Sequence, residues 1–242
     1  MSVIGAAVPG FQPPLWPPHV QLAGRHCRVT PLDIGAHAAA LFAAVAPDAD
    51  RLYQFVGYGP FRTENDLRQW LIDMAKTATD TQLYVIETPS RSESGHVTWI
   101  VRGIATYLRI TPSAATIEIG HIVLSVSLQR TRSATEALSL MMGNAFALGY
   151  RRVEWKTNFN NKASIAAGKR LGFSPEGVFR QARVDKGCNR DTAWLAIVDW
   201  EWPRVRAAIQ QFLDDANYDE TGRQRRRLSS LTAPLLAPMA KL

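Results

Sequence analysis

The feature that most constrains the fold is a strand pattern near the middle of the chain that is apolar on both faces. Residues 116–126 read TIEIGHIVLSV, in which isoleucine, valine and leucine occupy both the odd and the even positions. Such a strand lies at the centre of a sheet that is covered on each side. Glu118 lies on this strand, and a carboxylate in so apolar a segment needs a structural or chemical reason.

Strand-like and helix-like patterns alternate around this segment. Helical spacing of apolar residues predicts helices that begin at Asp33, Thr63, Ser133 and Asn161, and a last helix with Pro203 in its first turn. The further strands are predicted over 25–32, 82–87, 100–110, 152–157, 177–184 and 192–200. The predicted order is therefore β-α-α-β-β-β-α-β-α-β-β-α, with no internal repeat.

Composition limits the class of protein. A hydrophobic fraction of 46% is typical of globular proteins, and two cysteines are too few for a disulfide framework. No apolar run approaches the roughly 18 residues that cross a bilayer, and the N-terminus lacks the pattern of a secretory signal. We therefore expect a cytoplasmic protein that does not associate with membranes.

The two ends of the chain differ in composition from the middle. Five prolines in the first 18 residues predict an extended arm over 1–24, followed by a folded domain over 25–214. The net charge of +7 is concentrated partly in Arg223 and Arg225–Arg227, so 215–242 is predicted to be a solvated basic tail. Nucleic-acid binding through this tail is the less favoured alternative.

The junction between Leu124 and Glu136 joins the apolar strand to the helix predicted to begin at Ser133. Ser133 and Glu136 have the spacing of a capping box. Free N–H groups and the positive end of the dipole make a helix start an anion site, and Arg130 and Arg132 add positive charge there. A pyrophosphate suits such a site, whereas an ordinary capped helix is the alternative.

Three segments in order resemble the GNAT superfamily of acyl-CoA-dependent N-acyltransferases, and most closely its RimJ/RimL-like branch. They are IEIGHIVLSVSLQRTRSATEALSLMM, VEWKTNFNNKASIAAGKRLGF and GVFRQARVDKGCNRDTAWLAIVDWEWP, and the similarity covers about 25–212. The resemblance implies an α+β fold, a three-layer α/β/α sandwich with a mixed, mostly antiparallel sheet and splayed central strands. It also implies direct transfer from acetyl-CoA or another short acyl-CoA to a primary amine, without a metal, and homodimers are common in this branch. The amine would belong to a small molecule or a protein N-terminus.

The resemblance also assigns residues to the acyl-CoA. The family's pyrophosphate loop, Q/R-x-x-G-x-G/A, falls on 129–134, where Arg132 replaces the first glycine and is expected to point outward or along the cofactor. The main chain of 122–124 would contact the pantetheine arm, and Asn161 and Ser164 would lie beside the thioester. The assigned residues are Ile122, Val123, Leu124, Gln129, Arg130, Thr131, Arg132, Ser133, Ala134, Thr135, Asn161 and Ser164.

Two catalytic roles follow from the same resemblance. Ser164 would protonate the departing thiolate, because Gly168 stands where many relatives carry a tyrosine. Glu118, eleven residues before Gln129, would be the general base, since an ammonium must lose a proton before its nitrogen can attack. The alternatives are that Glu118 forms an ion pair with an arginine such as Arg109, or that His121 is the base. Strand alternation predicts that His121 faces away from Glu118, into the core.

The acceptor pocket is predicted to include Tyr58, Phe61, Glu118 and Trp155, because the loop that carries the first two covers the acceptor in this family. The polar turn 186–191 needs no function beyond closing a hairpin, although it could contact the acceptor or a second subunit. Cys188 in this turn is not expected to be a nucleophile. The replacements Arg132 and Gly168 leave a non-catalytic acyl-CoA sensor as the alternative function.

Overall fold

The protein, described by a computed structural model over residues 5–238, contains one eight-stranded sheet with helices on both faces. The strands are β1 (Leu22–Ala23), β2 (Arg28–Pro31), β3 (Gln82–Arg91), β4 (Val97–Thr111), β5 (Thr116–Leu124), β6 (Arg152–Asn158), β7 (Ser174–Asp185) and β8 (Cys188–Val198). Their order in the sheet is β1-β2-β3-β4-β5-β6-β8-β7. β5 and β6 run parallel and the other neighbours are antiparallel, so the predicted mixed, mostly antiparallel sheet is confirmed.

The helices divide between the two faces of the sheet. They are α1 (Ile34–Val45), α2 (Ala49–Leu52), α3 (Glu64–Thr77), α4 (Arg132–Ala147), α5 (Lys162–Arg170), α6 (Trp202–Leu213) and α7 (Leu228–Thr232). One buried core joins α1 and α3 to the sheet through Leu41 and Leu71. A second core joins α4 and α6 to the other face through Met141 and Ile209. This arrangement is the predicted three-layer sandwich.

The start of α4 differs from its prediction. Its N-cap is Thr131, whose hydroxyl accepts a hydrogen bond from the backbone N–H three residues later at 3.1 Å. Glu136 instead accepts hydrogen bonds from the backbone N–H groups of Arg25 and His26 at 2.9 and 2.7 Å. The predicted capping box of Ser133 and Glu136 is therefore wrong, because the Glu136 carboxylate is hydrogen-bonded to the turn between β1 and β2 instead.

A bulge in β5 changes which face its side chains occupy. His121 has a φ of 47°, and His121 and Ile122 together oppose a single residue of β4. Ile119 packs in the core beneath α4, whereas Val123 packs in the core beneath α1 and α3. An inserted residue shifts the alternation by one. The prediction that His121 faces away from Glu118 is wrong for this reason.

Both ends of the described chain pack against the sheet domain. Residues 5–21 are extended and carry no helix, and the side-chain amide of Gln82 donates to the carbonyl of Pro17 at 2.6 Å. Leu228 of α7 is buried in the core with α6, and the Thr232 hydroxyl donates to the carbonyl of Arg170 at 3.0 Å. The predicted solvated tail is thus wrong for Asn217, Leu228 and Thr232, which are buried, whereas 220–227 are exposed.

The arginines 223 and 225–227 are nevertheless exposed on this packed segment. Residues 239–242, the last of the predicted tail, and the first four of the predicted arm lie outside the described residues. Within 5–238, no helix has both the length and the apolar character that crossing a bilayer requires.

Candidate active site

The site lies where β5 and β6 separate. The two strands pair only from Thr116 to Glu118, opposite Arg152 to Glu154. β5 then stays with β4 as far as Leu124, while β6 stays with β8. The strands therefore diverge after Glu118, as predicted for the central strands. Main-chain groups of β5 beyond this point that face the gap are left without a strand partner.

A cavity of about 360 Å³ occupies this gap. Its wall includes these predicted site residues: Tyr58, Glu118, Ile122, Trp155, Asn161 and Ser164. His121 lines the same cavity, which places it beside Glu118 in one site. Phe61 lies behind Tyr58, stacked against its ring with centroids 6.2 Å apart, and so supports the wall without forming it.

Glu118 is buried and bound to two cations. Its carboxylate accepts a hydrogen bond from the Arg109 guanidinium and lies 3.0 Å from Nζ of Lys156. Lys156 also lies 2.6 Å from Glu154 and over the ring of Trp194. The ion pair with Arg109 is therefore present. The carboxylate and its two cations therefore compensate one another's charge, as buried ion pairs must.

His121 is the second basic group in the cavity. Burial, assisted by the positive charges of Arg109, Arg183 and Arg190, lowers the pKa of His121 to about 4. The imidazole is consequently neutral near pH 7. Its Nδ1 lies 3.1 Å from the hydroxyl of Tyr58, and burial raises the pKa of that phenol so that it stays protonated.

Ser164 and Trp155 form a connected pair beside the start of α5. The indole N–H of Trp155 donates to Oγ of Ser164 at 3.1 Å, which leaves the Ser164 hydroxyl hydrogen free to donate. A Cβ on Gly168 would lie 3.4 Å from the same indole. A side chain at this position would therefore pack directly against Trp155 and Leu195.

The turn before α4 offers unpaired backbone donors. Within residues 5–238, the N–H groups of Arg130, Arg132 and Ser133 have no acceptor. Arg130 has a left-handed φ of 64° and an exposed side chain. Arg132 keeps a negative φ, so the glycine that it replaces is not required by the backbone here. Free N–H groups at the start of a 16-residue helix fit the phosphates of a coenzyme A ester.

The side chain of Arg132 takes a direction that the sequence did not predict. It donates to the carbonyl of Leu213 at 2.6 Å and to Asp215 at 2.8 Å, and it lies over the ring of Tyr218. Arg132 and then Arg25 lower the pKa of Asp215 to about 2. The expectation that Arg132 points outward or along a cofactor is wrong, because Asp215 draws it toward the end of α6.

Several other residues assigned to the cofactor use their side chains within the protein. Gln129 donates to the carbonyl of Leu124 at 2.9 Å, and Ser133 donates to that of His26 at 3.0 Å. The Thr135 hydroxyl donates to the carbonyl of the N-cap Thr131 at 3.2 Å, while Val123 and Ala134 are buried. Asn161 caps α5 by accepting from the N–H of Ser164 at 3.0 Å. Main-chain groups of the turn are therefore the principal donors left for a ligand.

Three cationic residues of the cavity were missed from the sequence. They are Lys156, Arg183 and Arg190, and they reach the cavity from β6 and from the β7–β8 hairpin. The only indication in the sequence is the polar turn 186–191, for which a contact with the acceptor is one predicted role. Cys188 in that turn is exposed and does not line the cavity. No group of three or more His, Cys, Asp or Glu suited to a metal occurs in residues 5–238.

Comparison with known proteins matches residues 28–174 to the family described as "Acetyltransferase (GNAT) domain". A GCN5-related N-acetyltransferase from Brucella melitensis is 35% identical, with a TM-score of 0.85, over 93% of this chain and 100% of that one. A GNAT-family protein from Chromobacterium violaceum is 36% identical, with a TM-score of 0.76, over 84% and 98%. No curated protein matches the chain.

A more distant similarity shows the fold alone. RimL, the ribosomal L7/L12 alpha-N-protein acetyltransferase, solved in complex with coenzyme A, is 22% identical. Its TM-score is 0.60, over 74% of this chain and 98% of that one.

Proposed function

The chain belongs to the GNAT family of N-acetyltransferases, and on that premise we propose that it binds acetyl-CoA in the gap between β5 and β6. The acetyl group would pass to the primary amine of an acceptor held in the 360 Å³ cavity. The observation that carries this proposal is the divergence of β5 from β6 after Glu118, beside a helix start with free N–H groups. Acetyl-CoA supplies the activated acetyl thioester.

The chain's own residues would hold the donor mainly through the main chain. The N–H groups of Arg130, Arg132 and Ser133 point to phosphate binding, and the exposed Arg130 side chain adds charge at the same turn. The unpaired edge of β5, including Ile122, suits an extended amide-containing arm. Holding donor and acceptor in one cavity supplies much of the rate of a transfer reaction.

Proton transfer needs one donor and one acceptor in this cavity. Ser164 is the proposed donor, because its oxygen already accepts from Trp155 and its hydrogen is free. Glu118 is the proposed acceptor of the ammonium proton. His121 is a second candidate, since its neutral imidazole can hold a proton at Nε2 when Nδ1–H donates to Tyr58.

Binding and turnover test the proposal separately. We expect calorimetry to detect acetyl-CoA binding and a thiol assay to detect coenzyme A release with at least one member of a panel of small amines and N-terminal peptides. Arg130→Glu should weaken the binding about tenfold or more through repulsion of the phosphates, whereas Arg91→Glu at the exposed β3–β4 turn should not. Binding without release for every amine would favour the sensor alternative, and no binding would refute the proposal.

The base is identified by pH–rate profiles of Glu118→Gln and His121→Asn. The variant that lacks the base should lose about 10²- to 10⁴-fold in kcat together with the acid limb of the profile. If Glu118→Gln keeps the wild-type rate and profile, Glu118 is not the base. If His121→Asn keeps them, His121 is excluded in the same way.

A further inference from the structure

Three arginines line the cavity. Arg109 comes from β4, while Arg183 and Arg190 come from β7 and β8. Arg183 and Arg190 are direct partners across the hairpin. Like charges placed opposite each other on paired strands destabilise a sheet, so their presence needs a compensating reason.

Asp185 provides part of the compensation. Its two carboxylate oxygens lie 2.6 Å from Nε of Arg183 and 2.8 Å from Nη1 of Arg190. One carboxylate thus compensates the charge of two guanidinium groups, and each guanidinium has further N–H groups that can donate to a ligand. Arg109 shares Glu118 with Lys156 in the same way, and it holds a left-handed φ of 47° at an irregular point of β4. Such backbone conformations in a non-glycine residue cost energy and cluster at functional sites.

The charges around the cavity do not balance. Among the described residues that line it, four side chains are cationic (Arg109, Lys156, Arg183 and Arg190) and one is anionic (Glu118). Asp185 and Glu154 contact these cations without lining the cavity, and Glu154 also pairs with Arg152, which is itself paired with Glu176. The sum over all of these groups still leaves one positive charge in excess. This charge also acts on His121 in the cavity wall, whose pKa is lowered first by burial and then by all three arginines.

The hairpin also limits the size of what can enter. Nζ of Lys186 donates to the carbonyl of Tyr53 at 2.8 Å, and a Cβ on Gly57 would lie 2.8 Å from Asp185. The hairpin tip is therefore tied to the loop between α2 and α3. A volume of 360 Å³ is at the lower end of the range for small-molecule sites. This closure favours a small molecule over an extended polypeptide.

We propose that the acceptor is a small amine that carries a carboxylate, which Arg183 and Arg190 bind while the amine faces Glu118 and His121. A single negative charge matches the single excess positive charge, and guanidinium N–H groups pair well with a carboxylate. This assignment rests on the proposed function and names the class of its acceptor. Arg183 and Arg190 are then residues that determine specificity.

Matched acceptors test the assignment. Amino acids, both α- and ω-amino, are compared with their carboxamides, which keep the amine and the size but lose the charge. Wild type should prefer the carboxylates by about ten- to hundredfold in kcat/KM, the usual worth of a charge-assisted hydrogen bond. Arg183→Gln should bring that ratio close to one, and Arg190→Gln, checked for folding by circular dichroism, should do the same. Arg180→Gln is the matched control on the exposed part of β7 and should keep the wild-type ratio.

Three kinetic outcomes would overturn the assignment. They are a wild-type ratio of one or less, an equal loss for carboxylates and amides in Arg183→Gln, and a peptide that is a better acceptor than its free first residue. Calorimetric binding of the amino acids in the presence of coenzyme A separates this assignment from the proposed function. Binding without acetylation would overturn the function alone, whereas acetylation of neutral amines without any binding of carboxylates would overturn the assignment alone.

Discussion

The depressed pKa of His121 predicts a specific dependence of stability on pH. In the folded protein the imidazole stays neutral down to about pH 4, whereas in the unfolded chain it titrates at the ordinary histidine pKa of 6.5. Above pH 6.5 neither state holds the proton and the residue makes no pH-dependent contribution. Between pH 6.5 and 4 the unfolded state binds the proton and the folded state does not, so the free energy of unfolding falls as the pH falls.

The magnitude follows from the size of the shift. One pKa unit corresponds to about 1.36 kcal/mol. Lowering the pKa of His121 from 6.5 to about 4 therefore reduces the free energy of unfolding by at most about 3 kcal/mol, and the full reduction is reached below pH 4. Between pH 7 and pH 4.5, wild type should lose about 2 to 3 kcal/mol more than His121→Asn. Carboxylates titrate in both proteins and cancel in the comparison.

Urea unfolding of the two proteins at half-unit steps from pH 7.5 to 4.5 measures the effect. Removing the imidazole also removes its contacts with Tyr58 and Trp70, but these losses do not depend on pH. Tyr58→Phe is the control, because it removes the hydroxyl partner and keeps the buried imidazole, and it should therefore retain the wild-type slope. If the free energy of unfolding has the same pH dependence in wild type and His121→Asn, the conclusion that His121 is buried and neutral is refuted.

Three further substitutions test the packing by thermal or urea unfolding. Leu228→Ala should lower the free energy of unfolding by about 2 to 5 kcal/mol, because the side chain is buried in the core. Ser229→Ala, at the exposed neighbouring position, is the control and should change it by less than about 0.5 kcal/mol. Equal effects would show that the C-terminal segment is not packed. Thr131→Ala should cost about 1 kcal/mol through loss of the α4 cap, and no loss would place the cap elsewhere. Gly172→Ala should cost about 2 kcal/mol or more, because φ is +96° and the added methyl would lie 2.6 Å from Val205; a neutral result would contradict that close contact.

Local pattern was enough to predict the order of the main helices and strands. The segment around Glu118 was predicted to be the central strand because its apolar residues occupy both faces, and the structure agrees. Asn161 was predicted to open a helix, and it caps α5. These features depend on hydrophobic periodicity and on capping residues within a few positions, so they can be read from neighbouring residues.

Part of the candidate site could also be predicted from the sequence. Glu118, Tyr58, Trp155 and Ser164, to which the resemblance assigns catalytic or acceptor roles, line one cavity, and those roles stay a prediction. The face of His121 was not predictable, because a single inserted residue in β5 moved it to the other side of the sheet. Strand alternation assumes an unbroken register, and a bulge leaves no certain mark in the sequence.

The remaining differences come from partners that are distant along the chain. Arg132 turns toward Asp215, 83 residues away, and Glu136 toward the N–H of Arg25, 111 residues away. The hairpin arginines share a cavity with Glu118 and His121 only because β8 pairs with β6 and brings β7 with it. The sequence by itself determined the elements and the residue types at their ends, because short-range sterics and hydrophobic periodicity act between neighbours. Only the tertiary structure decided which charges share a cavity, because that depends on where the sheet places strands that are far apart in the chain.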